Sequence, residues 1–371
     1  MRITLEREKF MAAFQTAASV APVRSPKPIL HNVKFEAAVD SQTLMATDLE
    51  TGIRIDLTGV EVQTPGTTVL PIAQFGQILR ESRDERLSLE SDPQSTLVKG
   101  EHSEFRLGSE NPDEFPNVGQ FTEEKYSQLP ARLFRELIRR TLFATDSESS
   151  RYALGGVLLE ITDSEITAVG TDGRRLAKMV GPVQSVGGHQ TADRTTIVPM
   201  KAMQLMERAL GDVEGDVQIA ARANDILVRG GSTTVYSRLT EGRFPRWRDV
   251  FPQRTGAARI ELNVGQFSSA VRQAAIVTSE ESRGVDFKFA AGKVELSGRG
   301  AQVGHSHVEQ TISYDGDPLA ICLDPRYMID FLKVLDADRT FTLEIENADR
   351  AAVCSTDDGY GYVIMPLARE R

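Results

Sequence analysis

The sequence predicts an α+β protein built from one unit repeated three times, each unit with two helices packed on antiparallel sheets. Three observations predict it. Matching residues recur at near-constant intervals: Phe10 to Phe134 and Asp48 to Asp172 are each 124 apart, and Phe115 to Phe244 is 129 apart. Each third carries two stretches with apolar residues at helical spacing, and the segments between them alternate apolar and polar residues with period two.

The first helix of each unit is marked by one apolar face: Phe10, Met11, Phe14 and Ala18, then Phe134, Leu137, Ile138 and Leu142, then Phe267, Ala270, Val271 and Ala274. Half-buried strands follow. Ile53, Ile55 and Leu57 flank Arg54 and Asp56, and the second third offers Val157–Leu159 and Ile166–Val169. Next, a strand reaches proline and opens a second helix, as in Thr68–Pro71, Thr196–Pro199 and Ile321–Pro325. A proline placed at the first helical position loses no hydrogen bond there. Strands Leu87–Leu89, Val217–Ile219 and Phe341–Ile345 complete the units. The polar stretches Gln120–Ser127 and Pro252–Ala258 place domain boundaries at 1–122, 123–255 and 256–371, and no low-complexity linker separates the units.

Net charge excludes a strongly basic nucleic-acid binder but not a local basic face. The chain of 371 residues carries −10 overall; residues 123–255 carry +2, and the flanking thirds −6 each. Two cysteines cannot form a disulfide framework or a four-cysteine zinc site. The start lacks the apolar core of a signal peptide, and no apolar run is long enough to span a membrane. The expectation is a soluble, cytoplasmic protein.

Catalytic motifs are lacking. Gly298-Arg299-Gly300 with Gly304 misses the dinucleotide spacing, and no phosphate-loop string exists. His305 and His307 share a strand face without further ligands and read as surface residues, so no metal is expected. Cys322, in an apolar strand, reads as a buried inert thiol, and Asp357-Asp358-Gly359 as a hairpin turn. No cofactor and no enzymatic activity are expected.

Six strings stand in order along the chain: Pro28-Ile29-Leu30-His31-Asn32, Thr47-Asp48-Leu49-Glu50, Arg151-Tyr152-Ala153-Leu154, Thr171-Asp172-Gly173-Arg174-Arg175-Leu176, Gly242-Arg243-Phe244-Pro245 and Tyr362-Val363-Ile364-Met365-Pro366. With the three repeats, they resemble the family of bacterial sliding clamps, the beta subunits of DNA polymerase III. The resemblance implies three clamp domains per chain, forming half of a ring. Two chains close the ring head to tail around duplex DNA without sequence specificity. A clamp-loader complex opens it. The polymerase III alpha subunit and other clamp-motif proteins are tethered to it, and the ring is nucleoid-associated during replication.

The resemblance also gives roles to residues. Arg132, Arg135 and Arg139 lie at i, i+3 and i+7 opposite the apolar stripe, where the family places a DNA-facing helix. Arg80 and Arg83 repeat the signal weakly, and Arg24, Arg151 and Tyr152 match further DNA contacts. Such contacts attract phosphate without fixing register. Leu154, Thr171, Gly173, Arg175, Leu176, Pro245, Val250, Val363, Met365, Pro366 and Leu367 match a groove for partner peptides. Arg246-Trp247 and Asp249 depart there from the usual family pattern. Phe105 and Leu107 on a first-domain edge, with Ile276 and Val277 on the third domain, match the dimer joint. Around the joint two readings stand: Glu101 and Glu104 face Arg299, His305 or His307, a partial reversal of the family's polarity, or these are exposed loop residues and Phe105, Leu107, Ile276 and Val277 hold the joint alone. The alternative class is a three-repeat peptide-binding scaffold that does not enclose DNA; ring formation separates the two.

Overall fold

The computed structural model describes residues 1–371 except 147–152, 192–194, 252–255, 280–282, 301–302 and 368–371. Seven helices are used below: α1 Arg7–Ala18, α2 Ile72–Glu81, α3 Ala131–Arg139, α4 Met200–Ala209, α5 Trp247–Val250, α6 Val264–Ala275 and α7 Pro325–Lys333. The chain forms two compact units. One comprises Met1–Arg135, Val183–Arg194 and Lys201–Leu239, the other Glu136–Pro182, Thr195–Met200 and Thr240–Arg371. The middle third is therefore shared between the units, which the repeat spacing did not reveal.

The reason lies in the sheets. In the first unit, Thr233–Arg238 from the middle third pairs antiparallel with Thr51–Asp56 from the first, Val235 opposite Ile53. Nine strands thereby form one continuous sheet, and two edges that would otherwise expose unpaired backbone are consumed. A second sheet of five strands ends at Glu104–Gly108. Helices α1 and α2 fill this unit's first core with phenylalanine. Phe10 meets Phe35 edge-on at 5.5 Å, and Phe14 meets Phe75 at 5.1 Å. Burying each ring contributes about 2–3 kcal/mol. In α1 the buried stripe runs Phe10, Phe14, Ala17; Ala17, not Ala18, completes it.

The second unit repeats the plan. An eight-stranded sheet joins Arg175–Pro182 to Tyr360–Ile364, and a four-stranded sheet ends at Gly304–Thr311. Phe267 and Phe331 of α6 and α7 converge on Phe341, and Phe331 stacks on Tyr362 at 5.2 Å. The prolines divide into two kinds. Pro325 occupies the first turn of α7 behind Asp324, whose Oδ1 accepts from Arg326 N at 3.0 Å. Pro71 and Pro199 instead end their strands, and the helices start one residue later. Leu142 falls outside α3, in a 3₁₀ turn at Leu142–Ala144.

The 124-residue interval is literal at the level of hydrogen bonds. Thr47 Oγ1 donates to Thr51 O at 2.8 Å and accepts from Leu49 N at 2.9 Å. Thr171 Oγ1 donates to Arg175 O at 2.6 Å and accepts from Gly173 N at 3.1 Å. In both turns the aspartate caps the following amides: Asp48 takes Glu50 N and Thr51 N, Asp172 takes Arg174 N and Arg175 N. The third position is left-handed in each, with φ of 81° at Leu49 and 86° at Gly173. Glycine meets that geometry without strain; leucine does not.

Candidate functional site

The Thr171–Arg175 turn builds one wall of a cavity of about 510 Å³ in the second unit. Its geometry is locked from below. Arg175 Nε donates to Asp172 at 3.0 Å, Nη1 to Asp330 at 2.5 Å and Nη2 to Phe143 O at 2.7 Å. The same guanidinium lies over the Tyr327 ring at 4.7 Å. Its donors are thus committed to the protein, which makes Arg175 a positioning residue. Sheet register then sets Leu176 opposite Val363, and Met365 N donates to Arg174 O at 3.0 Å.

The floor is buried and apolar: Leu154 at 6%, Leu176 at 2% and Val363 at 1% exposure. The mouth is open, with Val250 and Met365 each 45% exposed and the exposed Arg174, Arg243 and Arg246 beside them. Helix α5 presents Val250 because Trp247 anchors it, its Nε1 donating to Glu160 at 3.4 Å. Arg248 grips the same carboxylate at 2.6 and 3.0 Å and lies over the indole at 4.4 Å. Lys178 sits 4.5 Å from the Phe251 ring, and burial holds its ammonium below the usual lysine range. An open mouth over an apolar floor is a shape suited to apolar side chains.

Nine of the expected groove residues line this cavity: Leu154, Thr171, Gly173, Arg175, Leu176, Pro245, Val250, Val363 and Met365. Pro366 and Leu367 do not; Leu367 N instead donates to Cys322 O at 2.9 Å, tying the tail to the neighbouring strand. Four lining residues were missed: Arg174, Arg243, Phe244 and Arg246. The Arg-Phe-Pro-Arg run 243–246 was the available signal, since Phe244 and Pro245 close the second repeat. Cys322 is half-buried rather than buried, whereas Cys354 is fully buried and burial pushes its thiol up.

The arginine face of α3 is uneven. Arg132 is exposed. Arg135 is half-buried and donates from Nη1 to the carbonyls of Leu210 and Val213, both at 3.2 Å, past the end of α4. Arg139 donates from Nη2 to Val334 O at 2.7 Å, at the end of α7, with 44% of its side chain still exposed. Both tie α3 to the backbone just past the end of another helix. Arg140 is buried and pairs with Glu136 at 2.7 Å and Asp358 at 2.8 Å. Arg24, Arg80 and Arg83 are exposed; Arg151 and Tyr152 lie outside the described residues.

Phe105 on the edge strand Glu104–Gly108 is 40% exposed and Leu107 is half-buried. Ile276, just past α6, is 75% exposed and Val277 half-buried. Glu104 lies 3.7 Å from Lys99 on the next strand, and His305 and His307 are exposed on Gly304–Thr311. Among the described residues, no cluster of three or more His, Cys, Asp or Glu is placed to hold a metal ion, and no helix is long and apolar enough to cross a membrane.

Comparison with known proteins supplies the context. Residues 1–119 match the N-terminal domain of the DNA polymerase III beta subunit, 128–246 its central domain and 248–368 its C-terminal domain. The chain is 30% identical to the beta sliding clamp of Pseudomonas putida over 99% of this chain and all of that one. The crystal structure of the DNA polymerase III subunit beta from Pseudomonas aeruginosa superposes over the full length of both chains with a TM-score of 0.91 at 26% identity. A Bartonella birtlesii sliding clamp bound to griselimycin does so at 0.89 and 26%. Three domains in order, over the whole chain, leave one conclusion: this chain belongs to the DNA polymerase III beta subunit family, the beta sliding clamps.

Proposed function

We propose that the chain is a processivity clamp: two copies join head to tail into a ring around duplex DNA and tether the replicative polymerase to it. The domains run 1–122, 123–255 and 256–371. Two observations support the reading. Three successive domains match a single family along the entire chain, and each compact unit ends a sheet in an edge strand, Glu104–Gly108 in one and Gly304–Thr311 in the other. Such edges are templates for pairing with another chain. Phe105, Leu107, Ile276 and Val277 supply the apolar part of the joint.

Arg24, Arg80, Arg83, Arg132 and Arg139 face the DNA and attract phosphate at long range, without a fixed register, so the ring slides. Arg135 serves mainly to hold the end of α4. Arg151 and Tyr152 are assigned to the same surface by resemblance. The cavity of the second unit receives an apolar motif from the polymerase III alpha subunit and from other clamp-binding proteins, including the clamp-loader complex. The griselimycin complex of the Bartonella relative supports a ligand-binding role for this fold. The chain performs no chemistry and acts inside the cell, at the nucleoid.

The test is the joint. Sedimentation of the wild type gives a dimer, and Phe105→Asp combined with Ile276→Asp gives folded monomers that no longer extend polymerase products. A wild type that stays monomeric at all accessible concentrations contradicts the ring and favours the scaffold.

A further inference from the structure

The cavity wall that the sequence did not reveal carries a charge pattern of its own. Among the thirteen lining residues are four arginines and no carboxylate. Arg175 is spent on Asp172 and Asp330. The other three, Arg174, Arg243 and Arg246, are exposed at the mouth. Arg246 has one neighbour of opposite charge, Asp249 at 3.4 Å, in a pair that is open to solvent. Among the described residues, Arg174 and Arg243 have no ion pair.

The three arginines come from two segments held in fixed relation. Arg174 belongs to the capped turn, and Arg243 is tied through its carbonyl to Ala153 N at 3.4 Å. A guanidinium offers a planar fork of donors suited to carboxylate, so three around one apolar opening define a composite receptor. The contrast with the rest of the molecule is large: the chain carries −10 overall, which repels an acidic ligand except where positive charge is concentrated.

Resting on the groove assignment above, we propose that this cavity selects peptides whose apolar anchor is flanked by aspartate or glutamate. Apolar side chains fill the Leu154, Leu176 and Val363 floor, and the flanking carboxylates meet Arg174, Arg243 and Arg246. The apolar part sets whether a peptide binds, and the arginine rim sets which of several similar peptides is preferred.

The experiment uses the full chain and two labelled peptides of about ten residues. Both carry the same anchor of two leucines and a phenylalanine; one has Asp and Glu flanks, the other Asn and Gln. At low salt the acidic peptide binds about fivefold tighter, the effect of exposed charge pairs. The ratio falls toward one at high salt and in a variant carrying Arg174→Gln, Arg243→Gln and Arg246→Gln. Equal affinity of the two peptides for the wild type at low salt overturns the preference while leaving the groove intact. Binding of neither peptide overturns the groove assignment, and the preference with it.

Discussion

At the scale of single residues, paired threonine and aspartate turns show how much of the repeat was readable. Asp48 and Asp172 stand at the same interval as Phe10 and Phe134, and the structure gives both the same capping role. The interval could not announce that Leu49 shares the left-handed backbone of Gly173. Replacing Leu49 by glycine relieves that strain and is expected to stabilise the protein by up to about 1 kcal/mol, net of the added freedom of the unfolded chain. Thermal unfolding measures it, and a destabilised variant would show that the Leu49 side chain matters more than its backbone. Asp358 is a second case, read from sequence only as part of a turn. Burial by itself would raise its pKa, but hydrogen bonds from Thr356, Arg140 and Arg339 outweigh that and hold the carboxyl below its usual range. A lowered pKa contributes stability that is fully present above the unfolded value of about 3.9 and is lost as pH falls from there through the lower folded value. Asp358→Asn should therefore cost about 1–3 kcal/mol at neutral pH, discounted for partial exposure of the carboxylate, because Arg140 loses a buried partner. The gap between the two proteins should begin to close below about pH 4 and close fully only below the depressed folded value; a gap that is constant with pH would contradict the assignment.

Secondary-structure elements were legible wherever one face is buried, and misread where a terminus is held by something distant. The stripe of α6 follows from spacing alone, because a helix must bury its apolar face somewhere; in α1 spacing found Phe10 and Phe14 but took Ala18 in place of the buried Ala17. The arginine spacing of α3 is equally regular, yet Arg135 and Arg139 donate to carbonyls 75 and 195 positions away, information no local pattern contains. The groove divides the same way. Its floor residues Leu176 and Val363 are strand core and were found through the strings around them; the lining arginines that were not found, Arg174, Arg243 and Arg246, lie outside regular structure, where spacing carries no orientation. This distinction has a consequence for mutagenesis. Leu176→Ala empties a site that is 2% exposed within a cluster containing Val169, Trp247 and Val363, and should cost about 2–4 kcal/mol of stability. Met365→Ala, at 45% exposure, should leave stability within about 0.5 kcal/mol while weakening peptide binding by about 1–2 kcal/mol. Chemical denaturation and peptide titration, run on both variants, separate the floor from the mouth. Equal loss of stability in the two would contradict that division.

For the whole molecule, the repeat count was legible and the partition of the chain was not. Three domains follow from three similar thirds, but strand pairing such as Val235 with Ile53 merges sheets across the repeat boundary, since an interior edge is worth more paired than exposed. Sheet edges remain, among them the strands Glu104–Gly108 and Gly304–Thr311, and a ring closed through these two, as proposed above, would explain why an acidic protein can act on DNA. At −10 overall, the proposed ring would hold the duplex topologically, with only weak, salt-sensitive attraction from the proposed arginine face. The direct test is to load the protein with a clamp-loader ATPase onto nicked circular duplex, then cut half of the sample once with a restriction enzyme and follow retention by gel filtration in moderate salt. The protein should stay with the circles and be lost from the linear molecules. Equal retention on both, or binding of the unloaded protein to short linear duplex that survives high salt, would contradict it.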